Sequence, residues 1–117
     1  MPKVLVVEDD ALSREVCVRW LTKQGHEVRG VESAEEAFAA LKSERYAVIL
    51  LDNILPGKTG LEALPALKRS SKAKIIMMTG HADDELEKDL KLLGAGKLLR
   101  KPLDFRLLSL AVKEALK

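Results

Sequence analysis

Residues 46–57 read YAVILLDNILPG: five apolar residues, Ala47 to Leu51, run directly into Asp52 and then into Asn-Ile-Leu-Pro-Gly. A continuous apolar run of this length is the pattern of a strand covered on both faces. An acid at the end of such a strand is costly unless something pairs with it. Asp52 therefore calls for a partner elsewhere in the chain, and the other apolar runs show where that partner must come from.

Short apolar runs recur at Val4 to Val7, more weakly at Val28 to Val31, then at Ile75 to Met78 and at Leu98 with Leu99. The segments between them have helical spacing. The first, Ala11 to Gln24, places Leu12, Val16, Trp20 and Leu21 on one side and closes with Gly25, a residue suited to a left-handed cap. The second opens at Ser33 with Glu36 three residues on, a capping box, and turns Ala37, Phe38 and Leu41 inward. The third opens with a second capping box, Thr59 to Glu62, and carries Pro65, which is expected to bend the helix or delay its start. The fourth spans Asp83 to Leu93 and stops at Gly94; the fifth follows Asp104 as N-cap and runs to the C-terminus. Five β-α units with right-handed crossovers predict a doubly wound, flavodoxin-like sandwich of three layers, with a parallel sheet in the order 2-1-3-4-5.

Composition narrows the function. The 117 residues make one domain, 1–117, with 47% hydrophobic and 32% charged residues. Twenty Lys and Arg against 18 Asp and Glu, with aromatics at 3%, argue against nucleic-acid binding through bulk charge or base stacking. Cys17 has no second cysteine to pair with and sits among apolar neighbours, which fits a buried thiol and a reducing cytoplasm. The start MPKVLVVEDD reads as neither a signal peptide nor a membrane span. Trp20 and the Met77-Met78 pair read as core.

In a doubly wound sheet, ligands bind at the carboxyl ends of the strands, near the point where strand order reverses. Those ends carry Glu8, Asp9 and Asp10 after strand 1, Asp52 after strand 3, Thr79, Gly80 and His81 after strand 4, and Arg100, Lys101 and Pro102 after strand 5. Three carboxylates in one pocket repel each other, and Mg²⁺ held by one or two of them, a carbonyl and waters is the usual remedy. Asp52's partners are thus expected to be a metal and Lys101. A cation and an ammonium together also attract a phosphoryl group, and Asp52, backed by a rigid strand, is placed to attack it and form an acyl phosphate. Asp10 next to Ala11 reads as a helix N-cap.

At these residues the chain resembles the receiver domains of two-component response regulators, the CheY-like superfamily. The motifs are KVLVVEDD at the first strand, VILLDNILPGKTGLEAL around Asp52, IIMMTGHAD at the fourth strand and GAGKLLRKPL at the fifth. The resemblance implies that Asp52 is the phospho-acceptor and that Glu8, Asp9, Asp52 and the backbone carbonyl of Ile54 hold Mg²⁺. It implies that Thr79 is the switch hydroxyl, that Lys101 pairs with the phosphoryl group, and that Lys101-Pro102 is a cis peptide. A histidine kinase or phosphotransfer protein would be the donor. The face of the fourth helix, fifth strand and fifth helix would meet an output domain or effector, with Leu86, Leu90, Lys97 and Leu99 as candidate contacts. No turnover substrate, nucleic acid or membrane enters. Whether the receiver stands alone or belongs to a longer protein is open at this point.

Departures from the family pattern qualify this. The usual partner of the switch hydroxyl is an aromatic three residues before the lysine, and here it is Leu98, which has no hydroxyl. Gly96 and Lys97 stand where one subfamily has acids used in dimerisation, so that dimer is not expected. Ile54 and His81 border the attacking water in this fold; isoleucine cannot orient water, so a long-lived acyl phosphate is expected. The alternatives are a degenerate receiver that binds a partner without phosphorylation, a flavodoxin-type binder, and an aspartate-nucleophile phosphatase. The flavodoxin reading lacks a phosphate-cradling loop after strand 1. The phosphatase reading wants its nucleophile after strand 1, whereas Asp52 follows strand 3, and a cap for which the chain has no spare residues.

Overall fold

In the computed structural model, which describes residues 2–80 and 84–117, each apolar run is a strand of one parallel sheet. In chain order the elements are β1 (Lys3–Val7), α1 (Ala11–Lys23), β2 (Glu27–Val31), α2 (Ala34–Ser43), β3 (Val48–Asp52), β4 (Ile54–Leu55), β5 (Lys58–Thr59), α3 (Gly60–Ser70), β6 (Lys74–Thr79), α4 (Asp84–Leu92), β7 (Lys97–Arg100) and α5 (Phe105–Ala115). The sheet runs β2-β1-β3-β6-β7, which is the expected 2-1-3-4-5 order once the small β4-β5 hairpin is set aside. That hairpin was not legible as an apolar run because each strand has only two residues. Its turn is Pro56-Gly57, with Gly57 at φ 71°, the left-handed conformation that glycine supplies at no steric cost.

Alternation along each strand feeds two cores. Leu5, Val7, Ile49, Leu51, Ile75 and Met77 face α2, α3 and α4, where they meet Ala37, Leu64, Leu67 and Leu90. Val4, Val6, Val48, Leu50, Ile76 and Met78 face α1 and α5, where they meet Cys17, Leu21, Leu108 and Val112. Burial pushes the Cys17 thiol up to about 11, as expected for an inert core cysteine. Trp20 ties α1 to α5: its ring lies 5.4 Å from that of Phe105, and its Nε1 donates to Ser109 Oγ at 2.8 Å.

Helix ends follow their local sequence. Thr59 and Glu62 form both halves of a capping box. Ser33 accepts from Glu36 N, but the Glu36 carboxylate accepts from Glu32 N at 2.8 Å, so only half of the second box closes. Pro65 neither delays nor ends α3, which runs from Gly60 to Ser70. Asp83, where the fourth helix was expected to begin, lies outside the described residues.

The inward face of α1 differs from the sequence expectation. Leu12 is 71% exposed and Val16 40%, whereas Cys17 and Leu21 are buried. The cause is Gly30 in β2: a side chain there would meet Arg14 Cγ at 3.0 Å and Val18 Cγ2 at 3.1 Å. The lack of a side chain there lets α1 settle on the stripe 14-17-18-21, on the far side of the helix from Leu12 and Val16. Accordingly, Leu21→Ala is expected to cost about 2–5 kcal/mol and Leu12→Ala no more than about 0.5 kcal/mol in urea unfolding. Equal losses would contradict this packing.

Candidate metal centre at the carboxyl edge

Two buried acids meet where β1 and β3 end. Glu8 is 2% exposed and Asp52 4%, and Thr79 at the end of β6 is also buried. Asp9 stands at the open mouth of the same edge. Carboxylate oxygens of Glu8, Asp9 and Asp52 lie within 4.8 Å of one another. Asp10, as expected, is instead the N-cap of α1 and accepts from Ser13 N at 2.8 Å.

Lys101 closes the cluster. Its Nζ donates to Glu8 Oε1 at 2.7 Å and lies 3.1 Å from Asp52 Oδ1. The side chain reaches inward because Lys101 N donates to Thr79 O at 2.8 Å, extending the β6-β7 ladder by one bond. The Lys101-Pro102 peptide is cis, as the resemblance implied. Burial alone would lower the lysine's pKa; its bonds to Glu8 and Asp52 outweigh that and hold the ammonium above its ordinary value. For Glu8, burial dominates and raises the carboxyl, against the opposing bond from Lys101, with neighbouring Asp52 adding to the rise. One ammonium thus pairs with two buried carboxylates, with the third, Asp9, beside them at the mouth. That donor set suits a hard divalent cation taking oxygen ligands.

Asp52 is held from behind by α3. Gly60 N donates to Asn53 O at 2.7 Å, and Asn53 Oδ1 accepts from Leu61 N at 3.1 Å. A Cβ on Gly60 would stand 2.6 Å from Asp52 O and 3.0 Å from Met77 Sδ. Glycine at this helix start is therefore what lets α3 approach the Asp52 backbone. The sequence reading singled out neither Asn53 nor Gly60, because a close approach between distant segments leaves no local pattern. It also missed Arg14, whose guanidinium donates to the carbonyl oxygens of Glu8 and Asp9 at 2.9 and 3.4 Å.

Other expected site residues are placed less centrally. Ile54 opens β4 with its side chain 61% exposed, and His81 lies outside the described residues. Leu98 is partly buried and packs on the α2-α3-α4 core. Of the candidate partner contacts, Leu90 and Leu99 are core residues and offer no surface; this corrects the sequence reading. The reason is that α4 turns Leu90 into the core beneath α2, α3 and α4 and β7 turns Leu99 into the core beneath α1 and α5, whereas Leu107 and Leu110 on α5 remain 54% and 55% exposed.

A doubly wound sheet whose carboxyl edge gathers three acids around one lysine defines the class of receiver-type α/β modules. The chain belongs to the response regulator receiver domain family, whose pattern matches residues 4–113. It is 33% identical to the transcriptional regulatory protein AfsQ1 of Streptomyces coelicolor over 100% of this chain and 52% of that protein. It is 37% identical to the transcriptional regulatory protein AruR of Pseudomonas aeruginosa over 91% of this chain and 46% of that one. The chain thus spans about half the length of these curated relatives. A cyclic di-GMP phosphodiesterase of Thermotoga maritima is 33% identical over 97% of this chain but only 31% of that protein, so the likeness covers a segment of it. Among solved structures, the chemotaxis protein CheY4 of Vibrio cholerae superposes with a TM-score of 0.92 at 30% identity, covering 99% of each chain. A CheY-like receiver domain protein of Methanospirillum hungatei gives 0.93 at 30% identity, covering 99% of this chain and 94% of that one.

Two glycines at this edge make a test of the geometry. Gly60→Ala is expected to destabilise by about 1–3 kcal/mol through overpacking, while Gly80→Ala, with nothing within 4 Å of the added carbon, should fall within about 0.5 kcal/mol of the parent. Urea midpoints check both, and a neutral Gly60→Ala would contradict the close approach.

Proposed function

We propose that this receiver, residues 1–117, accepts a phosphoryl group on Asp52 in a Mg²⁺-dependent step from a histidine kinase or phosphotransfer protein. The observation that carries the reading is the joint placement of Glu8, Asp9 and Asp52 with Lys101 at one sheet edge, with Glu8 and Asp52 buried and Asp9 at the mouth. Glu8, Asp9 and Asp52, with the Ile54 carbonyl, would hold the metal, which when bound supplies charge neutralisation at the phosphoryl oxygens. An Asp52 carboxylate oxygen attacks phosphorus in line; the bond from phosphorus to the donor's imidazole nitrogen breaks, and an acyl phosphate remains on Asp52. Lys101, already 3.1 Å from Asp52 Oδ1, pairs with the incoming phosphoryl oxygens, and the Thr79 hydroxyl donates to one of them. No turnover substrate is involved; the receiver catalyses only its own phosphorylation and dephosphorylation.

Signal leaves through α4, β7 and α5 by a shift in the population of that face. Support comes from a cleft of about 450 Å³ between β7 and α5, lined by Leu98, Leu107 and Leu110. A leucine at 98 fills the space beside this face without a hydroxyl, so the read-out rests on packing. A cytoplasmic setting fits the single buried thiol, and no helix among the described residues is long and apolar enough to cross a membrane.

Intact mass after incubation with acetyl phosphate tests the reading. A single phosphoryl adduct is expected that requires both Mg²⁺ and Asp52 and is absent in Asp52→Ala. No adduct on a folded protein would favour a degenerate receiver that binds its partner constitutively. With Ile54 unable to orient water, the adduct should persist; its loss within seconds would contradict the role given to Ile54.

A further inference from the structure

We propose that Arg14 is a positioning residue for the metal loop: with its aliphatic stem laid across Gly30, its guanidinium holds the Glu8 and Asp9 carbonyls so that their carboxylates converge on Asp52. The proposal rests on the metal reading above.

The loop from Glu8 to Asp10 carries three successive acids, and repulsion among them and with Asp52 favours swinging Asp9 out into water. Several bonds oppose this. Glu8 N donates to Val31 O at 3.0 Å, and Asp10 N approaches Glu8 Oε2 at 3.3 Å. Asp9 has no such restraint from its own amide among the described bonds. What reaches its peptide is Arg14 Nη1, which donates to Glu8 O at 2.9 Å and lies 3.4 Å from Asp9 O. A single nitrogen bridging two consecutive carbonyls fixes the orientation of both peptide planes, and so the directions in which both side chains leave the backbone.

Arg14 reaches the loop from α1 only because its stem can lie on β2. The Cβ position of Gly30 falls 3.0 Å from Arg14 Cγ and 3.2 Å from Cδ. Gly30 is paired in register with Val6 on β1, two residues before Glu8, so stem and loop share one frame. A glycine within a strand otherwise weakens it, and close approach of another group is a standard reason to find one there.

Positioning and simple electrostatics predict opposite signs. A cation beside a divalent-cation site repels the metal, so removing the charge alone should tighten Mg²⁺ binding. If Arg14 orients the carboxylates, its removal should weaken binding, as loss of groups that orient metal ligands does, by roughly tenfold or more.

The test is isothermal titration of the whole chain with Mg²⁺ alone. Arg14→Met keeps the stem and removes the donors, and it is expected to weaken binding by roughly tenfold or more, with Arg14→Lys recovering part of the loss. Gly30→Ala, which pushes on the stem, should weaken binding in the parent and cause little further loss in the Arg14→Met background, the non-additivity of two changes acting through one contact. Asp9→Asn serves as the reference for a lost ligand. Parent-like or tighter Mg²⁺ binding in Arg14→Met, with Asp9→Asn impaired, overturns the proposal and leaves the metal reading standing. A parent that does not bind Mg²⁺, indistinguishable from Asp9→Asn, overturns both. If Arg14→Met fails to fold, Arg14→Lys and Gly30→Ala decide the matter: unchanged affinity in both overturns the proposal.

Discussion

The structure depends on one ammonium group placed between two carboxylates that the fold has taken out of water. Strands β1 and β3 are buried on both faces, so the acids at their carboxyl ends, Glu8 just after β1 and Asp52 as the last residue of β3, inherit that burial. Lys101 is the cation that reaches both, at 2.7 and 3.1 Å. A buried charge left alone is expensive, and removing one partner of such a set costs more than the set itself contributes. The β7-α5 connection is thereby tied to the opposite side of the switch point, and the site remains short of positive charge by design of its donor set. A group that brings oxygens to this edge meets Lys101 already in place, and one that brings a divalent cation relieves Glu8 and Asp52 together.

Around this centre the architecture divides its work. Behind Asp52, the start of α3 is locked by Gly60 and Asn53, so the carboxylate sits on a fixed base. Behind Glu8, the edge strand β2 and the α1 arginine hold the loop. In front, Asp9 and Ile54 are open to solvent. Rigid backing with an open mouth is what an acceptor of a group from a large donor needs, since the donor must approach Asp52 directly while the acid does not move. The face of α4, β7 and α5 is built differently. Its surface leucines are Leu107 and Leu110 on α5, beside a partly buried Leu98, whereas Leu90 and Leu99 serve the two cores.

Much of this was legible in the sequence, for physical reasons that can be named. Parallel strands covered on both faces must be apolar throughout, so four of five strands stand out as runs, and the weaker β2 is an edge strand whose pattern alternates. The topology then follows from crossover handedness, and with it the convergence of Glu8, Asp9, Asp52, Thr79 and Lys101, which are far apart in the chain. Side-chain capping is local, so Asp10, Thr59 and Asp104 read correctly. What was not legible depends on contacts between distant segments. The rotation of α1 is set by Gly30 in another strand, so Leu12 and Val16 looked buried and are not. Neither Arg14 nor Gly60 stood out, because what each does depends on a segment distant in sequence. The leucines at 90 and 99 were given to the surface because a helix and a strand shared between core and surface do not announce which side each residue takes.

The central claim, that Lys101 compensates acids the fold has buried, is tested most directly by the urea stability of Lys101→Met measured with and without Mg²⁺. The account gives a loss of about 2 kcal/mol or more in metal-free buffer, reduced from the fully buried limit because the lysine is partly exposed. It also gives substantial recovery on adding Mg²⁺, through binding to the folded state alone. A variant as stable as the parent and indifferent to Mg²⁺ would contradict it.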